Sequence, residues 1–194
     1  MNRISAYLSA LMLLVIQPAM AVDLFLLDQR NGSIVFSVDH FGSFSSQGSF
    51  PRFAGRLLID RAHPENTTID VVAAAATISI AWPDGASLLR SQDFFDTARH
   101  PAIRFVSKTI TGLDTRRFQV TGTLEIRGIR RPLTLDATLE RRAPDLSKGT
   151  EIADFTVKGT LSRAEYGMVT QQTMISDQVR LTIVMRIELP IQAK

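Results

Sequence analysis

The chain has 194 residues, no cysteine and a formal net charge of +3. The missing cysteines exclude disulfides, thiolate metal sites and thiol catalysis. So small a basic excess implies no nucleic-acid partner, and no RNA-binding aromatic motif, zinc spacing or helix-turn-helix pattern is present.

The first stretch reads as a secretory signal peptide, residues 1–21. Arg3 supplies a positive start, Leu8 to Ile16 is nearly all apolar, and Ala19-Met20-Ala21 has the A-x-A form of a cleavage site. Cleavage after Ala21 leaves 194 − 21 = 173 residues, expected to form one domain over 22–194. An exported chain without disulfides points to a bacterial periplasm.

Beyond the leader the chain reads as alternating strands. Ile34, Phe36 and Val38 open the series, and a Ser-rich bend, Ser43 to Gln47, follows. Phe50–Asp60 and Thr68–Ile80 are the next two strands, the second with Ile69, Val71, Ala73 and Ala75 on one face. Such small residues leave room where a filled core would carry Leu or Phe. Between this strand and the next, Leu88 to Asp96 breaks the alternation. Leu88, Gln92 and Phe95 fall four and three apart, so a short helix is expected, with Pro101 ending any continuation. Strands then follow over Ala102–Ile110, Phe118–Ile126, Leu133–Leu139, Phe155–Leu161 and Val179–Leu189.

Eight one-sided strands with short connections predict an all-β fold, an eight-stranded antiparallel up-and-down barrel with a solvated exterior. Strands of about ten residues are long for the rival sandwich. An outer-membrane barrel would need two aromatic girdles, which one Trp and two Tyr cannot supply. The lone helix is expected to cover one end of the barrel.

The chemistry legible in the residues is sparse. His40, His63 and His100 are isolated, and no zinc-protease helix, nucleophile elbow or phosphate-cradling loop is present, so no catalytic residue and no metal site is assigned. Arg90 and Asp93 are spaced to pair on the helix, with Asp96 closing it; Arg90 meeting a polar head at the barrel mouth is the functional alternative. Arg163 and Asp177 read as a structural constraint between the last two strands. The pairs Arg116-Arg117, Arg130-Arg131 and Arg141-Arg142 suit solvated turns, or a transient contact with a membrane surface.

Several segments together resemble the YceI family of periplasmic, lipocalin-like proteins. They are Ser33 to His40, Leu89 to Asp96, Pro101 to Ser107, Val120 to Leu133, Leu161 to Met168 and Ser176 to Val179. The chain departs from the family pattern at Asn31-Gly32, Ile80, Ala86-Ser87-Leu88 and Arg127. The resemblance implies a barrel with an apolar tunnel holding an isoprenoid or quinone-like lipid, with no other cofactor. The expected lining is Phe36, Val38, Leu57, Val71, Ala73, Ala75, Leu89, Phe94, Phe95, Phe105, Val120 and Leu124. In strands, Gly122 and Gly159 favour a hollow interior. A homodimer is compatible with this reading. The competing expectation is a ligand-free barrel that acts through its surface as a stress-related interaction module.

Overall fold

A computed structural model describes residues 22–40 and 44–191; the expected signal peptide lies outside them. Among these residues, eleven antiparallel strands form one strongly curled sheet. The first six are β1 (Val22–Asp28), β2 (Gly32–His40), β3 (Phe44–Ser49), β4 (Phe53–Asp60), β5 (Thr68–Ala74) and β6 (Ser79–Ile80). The helix α1 (Gly85–Arg90) precedes β7 (Ala102–Gly112), β8 (Arg117–Ile126), β9 (Ile129–Asp145), β10 (Thr150–Ser162) and β11 (Ile175–Pro190). Hydrogen-bonded neighbours run β1-β4-β5-β7-β8-β9-β10-β11-β2-β3-β6.

The all-β class is as expected, but the strand count is eleven rather than eight. Eight passes of the chain are still present, because β1 with β2, β3 with β4, and β5 with β6 each run in one direction across a kink. At the first kink Asn31 Oδ1 accepts from the Asp28 amide at 2.8 Å, and the Arg186 amide donates to the Asn31 carbonyl at 2.7 Å. Pro51, which has no N–H to give a ladder, breaks the expected Phe50–Asp60 strand. A 3₁₀ turn over Ala75–Thr77 breaks the expected Thr68–Ile80 strand. The kinked first pass lies beside the kinked second along both halves, β1 on β4 and β2 on β3, and β2 also bonds to β11 on its other side. Counted as passes, the expected up-and-down order holds: each pass pairs with its neighbours in the chain, and the last, β11, returns to β2 of the first.

Part of the closure comes from side chains. Beside β11, Arg61 Nε donates to Asp23 Oδ2 of β1 at 2.6 Å, and its Nη2 donates to the Pro190 carbonyl at 2.8 Å. This half-buried guanidinium spans a seam that no regular ladder covers.

The helix is shorter than Leu88–Asp96 and displaced toward the amino terminus. It ends at Arg90, with Ser91 extended behind it, and tight turns follow. The physical reason is tertiary. A helix would point Phe94 and Phe95 about 100° apart, whereas the turns direct both toward the barrel interior, where Phe95 meets Phe50 edge-on at 5.5 Å. Asp96 does not close a helix. It adopts a left-handed φ of 47° and holds Arg99 at 2.6 Å with a buried carboxylate. Among the described residues Arg90 and Asp93 form no ion pair.

Arg163 and Asp177 do join the last two strands, through the backbone rather than as an ion pair. The Arg163 amide donates to the Asp177 carbonyl at 2.9 Å, and the Asp177 carboxylate accepts from the Ala164 amide at 2.9 Å. The buried Arg163 guanidinium donates to the carbonyls of Met168, Thr170, Ile175 and Ser176, shaping the loop before β11.

Candidate functional site: an apolar cavity beneath a lid

The inward positions of nearly every strand converge on one cavity of about 490 Å³, a size typical of small-molecule sites. Its walls are almost wholly aliphatic and aromatic. Strand alternation explains this directly, since every second residue of each strand points inward. Phe105, Val120, Leu124, Leu133, Leu135 and Val157 are buried along β7 to β10, and Phe36, Phe53 and Leu57 along β2 and β4.

Eleven of the twelve residues expected from the sequence lie on this cavity: Phe36, Val38, Leu57, Val71, Ala73, Leu89, Phe94, Phe95, Phe105, Val120 and Leu124. Ala75 does not. It is 1 % exposed but belongs to the 3₁₀ turn, where the period of two has ended. The glycines also play another part than expected. A Cβ on Gly122 would stand 2.5 Å from the Phe105 ring, and one on Gly159 would stand 2.5 Å from Leu135 Cδ2. These glycines seat neighbouring side chains against the sheet; they do not themselves open the hollow.

The lining omitted from the sequence expectation includes much of β9 to β11: Leu133, Leu135, Val157, Leu161, Leu181, Ile183 and Met185. Their alternation carried the same signal as that of the residues chosen. Trp82 and Met168 gave no such signal, because they sit in irregular segments.

Polar groups gather at the two ends. At the end under α1, His40 Nε2 and Ser46 Oγ are 2.8 Å apart, the His40 ring stacks on Phe44 at 4.4 Å, and Gln171 and Arg163 join the rim. At the opposite end lie Asp60, Arg61, Thr67, Thr115 and the ion pair Arg142–Glu151. Asp60 is buried, yet backbone N–H groups of His63 and Ala62 hold its carboxyl below the usual range. It therefore caps its turn as a carboxylate.

The segment 82–100 acts as the cover. Leu88, Leu89, Phe94 and Phe95 drop into the cavity from above, and the chain Phe36–Phe50–Phe95, with centroids 5.6 and 5.5 Å apart, ties the cover to the wall. Arg127 fastens it from the β8–β9 turn, donating from Nη1 to the carbonyls of Phe94 at 2.8 Å and Gly167 at 3.1 Å. The left-handed pair Arg127 and Gly128 makes the tight two-residue turn that puts the guanidinium there.

Four of the six arginines in the basic pairs are held by carboxylates, and Arg116 by the carbonyls of Leu139 and Glu140. Arg117 is held by Asp114, Arg130 by Glu125, Arg141 by Asp154 and Arg142 by Glu151, all within 3.1 Å. Among the described residues no three His, Asp or Glu side chains gather as a metal site.

A curled antiparallel sheet around an apolar cavity, capped by a short helical lid, defines a lipocalin-like class of fold. The chain belongs to the YceI family: the profile described as the YceI-like domain matches residues 25–187. A UPF0312 protein of Pseudomonas savastanoi pv. phaseolicola is 28 % identical over 165 residues, covering 82 % of this chain and 85 % of the relative. Another, from Pectobacterium carotovorum, is 27 % identical over 154 residues and 79 % of each chain.

Solved structures share the fold. Burkholderia cenocepacia BcnA superposes with a TM-score of 0.73 at 18 % identity, over 86 % of this chain and 99 % of its own. The Campylobacter jejuni YCEI protein reaches 0.71 at 24 % identity, over 79 % and 90 %. A polyisoprenoid-binding domain from Saccharophagus degradans, implicated in plant cell wall breakdown, reaches 0.63 at 16 % identity, over 88 % and 100 %.

Proposed function

We propose that this protein is exported to the periplasm and carries a long isoprenoid or similar lipid, without turnover, its tail lying in the cavity beneath the lid. The observation that carries the reading is the cavity itself: about 490 Å³ walled by apolar side chains, with polar groups confined to its ends. The polyisoprenoid-binding domain of S. degradans, built on the same fold, supports the choice of ligand class, and the leader-like residues 1–21 support export.

Desolvation drives the binding. Ten methylene-sized units removed from water contribute about 8 kcal/mol, against an association cost of about 4–15 kcal/mol. Long tails therefore bind tightly and short ones weakly. The test is a chain-length series of isoprenoid alcohols titrated into the delipidated protein. Affinity should rise steeply with each isoprene unit until the cavity is full; affinity independent of length would overturn the reading.

A second reading, an interaction module acting through its surface, draws on the outward apolar side chains of Leu24, Leu26 and Leu58 on β1 and β4. In that case the delipidated protein would ignore every member of the series.

A further inference from the structure

We propose that the lid end of the barrel is a membrane-docking rim, which seats on a zwitterionic bilayer so that lipid passes into the cavity without crossing water. The inference rests on the carrier reading above. Among the described residues, four large apolar side chains stand exposed at this end: Phe44 (62 %), Trp82 (44 %), Val169 (56 %) and Met174 (64 %). They come from three separate segments, the start of β3, the approach to α1 and the loop before β11.

Register and contacts place them around one mouth. Phe44 pairs with His40 and stacks on its ring, and His40 pairs on its other side with Ile175, the neighbour of Met174. His40, Ile175, Met168 and Trp82 all line the cavity. The exposed rim is thus continuous with the apolar interior. Exposed Leu24, Leu26 and Leu58 lie instead on the outer sheet face, cut off from the cavity by the sheet.

Two features favour a bilayer as the occupant. An aromatic of the Trp type is suited to the headgroup level, with an apolar body and one N–H for the wet side. Charge on the same segments is mixed, Asp84 and Glu165 against Arg90 and Arg99, so attraction to an anionic surface is not the organising force. A lipid with a long tail resides in a membrane and leaves it slowly through water, so a carrier gains by contacting the bilayer with its mouth.

Trp82 is the single tryptophan of the chain and reports on the rim directly. Delipidated protein is mixed with phosphatidylcholine vesicles free of isoprenoid, followed by flotation and by Trp82 emission with brominated lipid as quencher. The expected result is co-flotation, a blue shift and quenching, little affected by salt. Met174→Asp and Val169→Asp should each weaken flotation at least tenfold while leaving uptake of geranylgeraniol from dilute detergent unchanged. Phe44→Asp, on another segment, provides an independent variant if the loop variants fail to fold.

Protein that stays with the aqueous phase and keeps its emission unchanged would overturn the proposal. So would a dimer that buries Trp82 without vesicles, seen by sedimentation. Docking without geranylgeraniol uptake would sink the carrier reading and leave the rim standing; uptake without docking would do the reverse.

Discussion

Replacing Ala73 by Phe probes the cavity from inside its wall. Ala73 lies on β5 between Phe53 of β4 and Ile103 of β7, with its methyl group on the cavity. A benzyl side chain there projects into space that the lipid tail would fill, displacing about four methylene units. At ~0.8 kcal/mol for each, the loss is about 3 kcal/mol, or roughly a hundredfold in Kd. The fold should tolerate the change, because the ring enters a hollow rather than a packed core. Ala75→Phe is the contrasting variant. Ala75 is buried off the cavity, so a ring there overpacks the 3₁₀ turn and should cost about 1–3 kcal/mol of stability, with no direct competition for ligand. Both variants would be assayed by displacement of a fluorescent lipid probe with geranylgeraniol, alongside thermal melts. Unchanged affinity in a folded Ala73→Phe would refute the assignment of the cavity as the binding site.

Other expected outcomes concern the frame. Gly122→Ala places a Cβ 2.4 Å from the Val106 carbonyl oxygen and 2.5 Å from the Phe105 ring, so stability measured by urea denaturation should fall by about 2 kcal/mol. Arg61→Ala removes the ion pair to Asp23 and the bond to Pro190 across the seam; about 2 kcal/mol should be lost, roughly 4–8 °C in Tm by calorimetry. The pH dependence follows from Asp39, Asp70, Glu151 and Asp154, whose carboxyls are held low chiefly by hydrogen bonds from Arg180, Arg104, Arg142 and Arg186 respectively. Groups with depressed folded values stabilise the fold above their unfolded range and lose that contribution as pH falls through the folded values. Melts should therefore be flat near neutrality and decline modestly below about pH 4, since these pairs lie at the surface. At the alkaline end burial holds the Tyr166 hydroxyl protonated, its pKa pushed up to about 12. A raised folded value gives a contribution that is intact below about pH 10 and lost as pH climbs toward 12; a Tyr166→Phe variant should lack that alkaline fall.

What the sequence showed of this architecture depended on periodicity. Strands β7, β8, β10 and β11 alternate cleanly and were legible, because one face meets the cavity and the other meets water. Strand β1 was not legible. Phe25 and Leu27 face in while Leu24 and Leu26 face out, so its apolar residues run together without alternation. The Ser-rich stretch read as a bend is β3, whose place is set by pairing with β2 and β6 rather than by propensity. Ala75 was misplaced because an extrapolated period of two cannot foresee the turn that interrupts it. The lid was legible as a break in alternation, but not its outline: Phe94 and Phe95 are held by burial against Phe50 and the cavity wall, and that packing outweighs the helical spacing. Arg127 was visible only as a departure from the family pattern; that it fastens the lid depends on a contact 33 residues away in the chain.

Native mass spectrometry of the full chain, expressed in a bacterial periplasm and purified without detergent, tests the carrier account most directly. A lipid carrier shows an adduct of lipid mass that organic extraction removes and that geranylgeraniol restores. Bare protein that remains bare after incubation with geranylgeraniol would contradict that role.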